Sequence, residues 1–120
     1  MSMNQESNPT SNPERVTLDG VTIAPGVVET IVVLAAEQTE GVAGVVCHSS
    51  LRRMSNTPAV DVALIDGELA CSIHIVAYYG FVLPELGKAV QENISSALDG
   101  QMGMVPRRVD VFIDGIEFEG

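Results

Sequence analysis

Aromatic side chains are scarce: the chain has no Trp, two Tyr and three Phe in 120 residues. A packed interior must therefore come from Val, Ile, Leu and Ala, and an apolar fraction of 46% supplies enough of them to rule out general disorder. Positive charge is scarce as well, six Lys and Arg against sixteen Asp and Glu, for a formal net charge of −10. Such a surface repels phosphate backbones and anionic headgroups over a Debye length of about 8 Å, which disfavours nonspecific binding to nucleic acid or membrane. Long apolar runs are missing too. The longest stretch without an ionised side chain, Leu69 to Pro84, contains His74, two Tyr, Gly80 and Pro84 and falls short of a membrane-spanning helix, so direct membrane insertion is not expected. Only two Cys are present, Cys47 and Cys71, enough for one bridge at most. The polar start of the chain lacks the basic and apolar regions of a secretion signal, so a cytoplasmic location with reduced thiols is expected.

A chain of this length closes one core, since domains usually run to roughly 100–150 residues. Residues 1–14 are rich in Asn, Ser, Pro and Gln and read as a disordered tail, which leaves 15–118 as a single domain. Val16 to Ile23 alternates around Asp19-Gly20 as a short extended piece or hairpin. Pro25 suits the first position of a helix, where its missing N–H costs nothing, and Val27, Val28, Ile31, Leu34, Ala35 and Gln38 follow at helical spacing. A helix over about Pro25–Thr39 results, stopped by Gly41. Its many β-branched residues lower its intrinsic propensity, so burial must stabilise it. Val42 to Cys47 reads as a strand, and Ser49 to Pro58 as a polar loop carrying Arg52 and Arg53.

The segment from Val60 to Tyr78 contains Asp66-Gly67, a dipeptide that readily takes the positive φ angles of a two-residue hairpin turn. If Ile65 faces Glu68, then Leu64 pairs with Leu69, Val62 with Cys71 and Val60 with Ile73. That register collects an apolar row on one face and leaves Asp61, Ala63, Ser72 and His74 on the other. A slip of one residue would mix the two sets.

Val82, Leu83, Leu86, Val90, Ile94, Ala97, Leu98 and Met102 recur at three- and four-residue steps, the pattern of an amphipathic helix. Pro84 sits in its first turn, Glu85 near the positive end of the helix dipole, and Gly100 and Gly103 close the far end. Val105 to Ile113 forms a last strand, with Val109, Val111 and Ile113 alternating against Arg108, Asp110 and Phe112. Each element thus has one apolar face. The expected class is α+β: a two-layer fold with a mixed or antiparallel sheet of about four strands and two helices packed on one side. The link from the long strand through the second helix is a crossover, and the last strand is expected antiparallel to a hairpin strand or beside the Val42 strand.

Residue pairs that suggest chemistry lack convergence. Cys71 and His74 are three apart, and Cys47 and His48 adjacent. In extended chain both spacings point the two side chains to opposite faces, so neither pair supplies zinc with two ligands. A buried Cys on an apolar face also lacks the positive surroundings that activate a thiol. Gly41-Val-Ala-Gly44 has neither the third Gly nor the Lys of a nucleotide-binding loop. Asn93-Ile-Ser95 matches a glycosylation pattern by chance, being mid-helix. The carboxylates Asp110, Asp114, Glu117 and Glu119 read as solvated charges. No cofactor and no catalytic residue is expected.

Four of the six basic residues form two pairs, Arg52-Arg53 and Arg107-Arg108. They are either scattered solubilising charges or a small cationic spot on an acidic body that docks a protein carboxylate or another copy of the chain. Tyr78 and Phe112, at outward positions on adjacent or near-adjacent strands, would supply the apolar part of that interface.

From about Gly20 to Phe118 the order of signals resembles the alkaline-shock or envelope-stress-response proteins of Gram-positive bacteria. The matching pieces are Ile23-Ala-Pro before the first helix, Glu40-Gly-Val-Ala-Gly-Val45, and the hairpin ending at Asp66-Gly67. Further along come Tyr79-Gly80 ahead of Leu83-Pro-Glu-Leu86, Val90-Gln91, and Val109-Asp-Val-Phe-Ile-Asp-Gly-Ile116. Two departures stand out: Gln101-Met102-Gly103 replaces the usual Met-Thr-Gly, and Asp110 stands where Asn is commoner. The resemblance implies a cytoplasmic, non-enzymatic protein linked to envelope stress, prone to form homo-oligomers and held near the membrane by a separate integral-membrane partner; the exposed sheet edge would permit strand addition. The alternative class is an RNA-binding module, since two-layer α+β domains include single-strand readers. The net charge and the lack of a basic-flanked Gly-x-x-Gly loop oppose it.

Overall fold

The computed structural model describes residues 16–18, 20–49 and 56–118. The expected N-terminal tail, Arg52 and Arg53 lie outside the described residues. Two short strands, β1 (Val16–Leu18) and β2 (Val21–Ile23), pair as an antiparallel hairpin with Val16 opposite Ile23. Helix α1 (Pro25–Glu37) follows, with Pro25 in its first turn. It ends two residues before the expected Thr39, whose hydroxyl donates to the Ala35 carbonyl at 3.0 Å. A side-chain bond back into the last turn takes up a carbonyl that helix ends leave orphaned.

Strand β3 (Val42–Val45) starts after Gly41, and β4 (Cys47–Ser49) continues the chain past Val46. The expected polar loop from Ser49 to Pro58 is structured at both ends. There β5 (Asn56–Pro58) pairs antiparallel with β4, Cys47 standing opposite Pro58. Strands β6 (Val60–Ile65) and β7 (Glu68–Tyr78) form the long hairpin. Its register agrees with the reading from the turn: Ile65 faces Glu68, Leu64 faces Leu69, Val62 faces Cys71 and Val60 faces Ile73. Asp66 and Gly67 take φ values of 53° and 80°, the positive angles that let a two-residue turn follow the strands' twist.

Helix α2 (Leu83–Met102) carries Pro84 and Glu85 in its first turn and is closed by Gly103, whose N–H bonds the Asp99 carbonyl at 2.9 Å. The final strand, β8 (Arg108–Glu117), starts three residues later than expected and runs four residues further. It pairs with β7 in parallel, Cys71 opposite Val109 and Ile75 opposite Ile113. This corrects the expected placement antiparallel to a hairpin strand or beside β3. Crossing back along the 20-residue α2 returns the chain in the direction of β7. The other edge of β7 is already occupied, by β6 along its first half and β3 along its second. The sheet is therefore mixed, with β7 at its centre.

The fold is α+β, with both helices packed against the sheet. From α1 come the buried Val28, Val32, Ala35 and Ala36; from α2 come Leu86, Val90, Ile94, Leu98 and Met102, one per turn. They close on Leu69, Cys71, Ile73, Ile75 and Ala77 of β7 and on Val109 of β8. Each large aliphatic side chain so buried contributes about 1.5–3 kcal/mol, which is what stabilises the β-branched α1. Gly41 is buried at φ 101°, and a Cβ there would lie 2.9 Å from Phe81 Cδ2. Its role is to let the chain turn from α1 into β3 beneath the Phe81 ring.

Candidate interaction surface

Because β7 alternates, covering one sheet face with helices leaves the other bare among the described residues. Ala70, Ser72, His74, Val76 and Tyr78 stay partly exposed while their neighbours are sealed. Beside them on β8 stand Arg108, Asp110 and Phe112, opposite Ala70, Ser72 and His74. Phe112 is 46% exposed and stacks on the His74 ring, the centroids 4.5 Å apart with 15° between planes. His74 Nδ1 lies 2.9 Å from Asp114 Oδ2, which fixes the imidazole edge-on to a carboxylate and flat against Phe112. Farther along, Tyr79 packs on Phe118 at 4.9 Å.

Among the residues singled out from the sequence, Tyr78 and Phe112 are on neighbouring strands and share the open face, but in different rows. Phe112 is level with His74, and Tyr78 with Glu117. Arg107 and Arg108 diverge. The Arg107 N–H donates to the Leu69 carbonyl at 2.7 Å, and its guanidinium is 3.9 Å from the Glu68 carboxylate. Arg108 donates from Nε and Nη2 to Asp110 Oδ2, at 3.1 and 2.8 Å. Asp110 and Asp114 are surface carboxylates, as expected, and are paired there with Arg108 and His74. Cys71 and His74 point to opposite faces, as their spacing requires. Burial of Cys71 pushes its thiol up to about 11, because an apolar surround penalises thiolate. Asn93 donates to Thr39 Oγ1 at 2.8 Å and so ties α2 to the end of α1.

One feature escaped the sequence reading: a groove of about 840 Å³ between α1 and α2, lined by Val27, Thr30, Ile31, Leu34, Asn93 and Ala97 among others, with no charged side chain. Its signal was there: α1 has only Glu29 and Glu37 as charges, so it is apolar on more than the face it buries. The exposed sheet edge expected to permit strand addition is the outer edge of β8. Among the described residues β8 bonds no strand but β7, and an unpaired edge is a template for another strand.

Residues 14–118 match the model of the alkaline shock protein 23 family, cell envelope-related function. The chain belongs to that family. Its relatives include YqhY of Bacillus subtilis (strain 168), an uncharacterized protein 30% identical over 110 residues, 85% of this chain and 80% of that protein. Spy1614 of Streptococcus pyogenes serotype M6, also uncharacterized, is 26% identical over 113 residues, 87% of this chain and 93% of the relative. Among solved structures, two variants of MamM CTD superpose with a TM-score of 0.51 at 17% identity. They cover 77% and 78% of this chain and 95% and 99% of their own. At that identity the likeness is one of fold. Among the described residues of this family member, no helix is long and apolar enough to cross a membrane.

Proposed function

We propose that this envelope-related protein is a non-enzymatic interaction module that self-associates and docks on a membrane-anchored partner from the cytoplasmic side. One observation carries the reading: a sheet with one face open, bearing the exposed Phe112–His74 stack and ending in a β8 edge that no other described strand pairs. Aromatic and Arg side chains on an exposed face are the groups enriched where proteins meet. The pair Cys71 and His74 supports it from the other side, since Cys71 is sealed within the core and His74 faces away from it.

The test is light scattering of the full chain over a range of concentrations, with a pull-down using juxtamembrane segments of envelope membrane proteins. A mass that rises with concentration, or a retained segment weakened by Phe112→Ser, supports the proposal. A strict monomer that retains no segment overturns it. RNA reading by the same face is opposed by Asp61, Glu68, Asp110 and Asp114, which line it or flank it. A gel shift that weakens steeply with salt would favour RNA instead.

A further inference from the structure

We infer that the self-associating form is a two-fold dimer in which β8 pairs antiparallel with β8 of a second copy, centred on Val111, to make one continuous sheet. This rests on the self-association reading above and adds its geometry. The starting point is which backbone groups of β8 are free. On β7, the His74 and Tyr78 N–H groups bond to Ala59 and Gly41, away from β8, so Cys71, Ile73 and Ile75 turn theirs toward it. In a parallel pair a residue bonds to the two that flank its partner, and the partner itself faces outward. Val109, Val111 and Ile113, the partners of those three, therefore present N–H and C=O to the open edge. The side-chain amide of Gln91 already reaches the Val109 carbonyl, at 2.9 Å, which places that oxygen on the outer side.

The strand's own irregularity sets how much can pair. The register shifts between Ile75 and Val76, leaving Asp114 without a partner on β7, so the regularly paired segment runs from Arg108 to Ile113. Val111 is the middle one of its three outward-facing residues, Val109, Val111 and Ile113. Antiparallel pairing about that residue sets Val111 against the partner's Val111 and Val109 against the partner's Ile113, all with outward-facing backbone groups. It also sets Arg108 against the partner's Asp114, twice by symmetry, on the open face. Centring on Asp110 or on Phe112 would oppose Asp110 to the partner's Asp110 or the partner's Asp114, a like-charge pair. The edge of β6 that no described strand pairs offers no such match, for its only charged residue is Asp61. On the helix side, α2 leaves room: a groove of about 430 Å³ runs beside Val111 and Ile113 under Leu83, Gly87 and Gln91. The partner's apolar side chains would enter it. The Val109 carbonyl keeps a second lone pair for the incoming N–H even with Gln91 in place.

The experiment is a charge-reversal cycle on the full chain, read by sedimentation equilibrium. R108D and D114R are each expected to weaken dimerisation about tenfold or more, because each opposes like charges at two symmetric sites, and the double variant is expected to restore it. Amide exchange followed by NMR gives a second readout that needs no variant. At high protein concentration the Val109, Val111 and Ile113 amides should slow, while those of Asp110 and Phe112, already bonded to β7, should not change. A dimer indifferent to both reversals, with no slowing at Val111, overturns the β8 pairing yet leaves self-association standing. A wild-type chain that stays monomeric overturns both.

Discussion

Strand β7 is one element with two fates. Its odd-numbered residues from Leu69 to Ala77 are at most 3% exposed, and its even-numbered ones from Ala70 to Tyr78 remain half open. The two sets differ in chemistry as they differ in surroundings. Inward stand aliphatic groups and a thiol; outward, beside Ala70 and Val76, stand a hydroxyl, an imidazole and a phenol. Stability should therefore reside on one side of the strand and recognition on the other, and substitutions one residue apart should separate the two.

The largest effect is expected at the covered face. Ile73→Ala should cost about 2–5 kcal/mol in urea unfolding, since it removes buried methyl groups and leaves a cavity. His74→Ala, its neighbour in sequence, should cost under about 1 kcal/mol. Equal losses at the two positions would break the comparison. Next comes Gly41→Ala, which forces an L side chain to φ 101° and its Cβ against Phe81 and Leu86. About 1–3 kcal/mol is expected, measured by thermal melting. A wild-type melting temperature would mean that the α1–β3 turn relaxes without cost.

A smaller effect is expected from alkali at the covered face. With the folded Cys71 thiol pushed from 9.0 to about 11, the unfolded chain loses its proton first as pH rises. Stability should thus be full below about pH 9 and decline as pH climbs through about 11, and Cys71→Ala should flatten that slope. Alkylation at pH 8 should modify the exposed Cys47 well before Cys71. Fast labelling of Cys71 would place it outside the core. The smallest effect on stability is expected for Phe112→Ser on the open face, within about 1 kcal/mol in the same unfolding assay. Its loss should register in association instead. Unchanged association with lowered stability would reverse the roles assigned to the two faces.

Much of this division was legible in the chain. The Asp66-Gly67 turn and the period-two pattern around it gave the hairpin register pair by pair, because a slip of one would have put Asp61 and Ser72 into the core. The stripe from Leu86 to Met102 marked α2 for the same reason at the helical period. The partners of Asp110 and Asp114 were not legible. Arg108 lies two residues from Asp110, but His74 lies 40 residues from Asp114, and only the register of β7 on β8 brings them within 2.9 Å. Likewise the α1–α2 groove depends on how far apart two helices settle, which no local pattern encodes.

Local periodicity and turn chemistry, then, determined which segments are helices and strands, which side of each is apolar, and that the layers are two. The tertiary structure alone decided that β8 runs parallel to β7 on the edge that β6 and β3 leave, and that Phe112, His74 and Asp114 meet on the open face. The physical reason is range. Side-chain periodicity is fixed by backbone geometry over a few residues, whereas the choice of neighbour across a sheet depends on a crossover of 20 helical residues and on which edge is already taken.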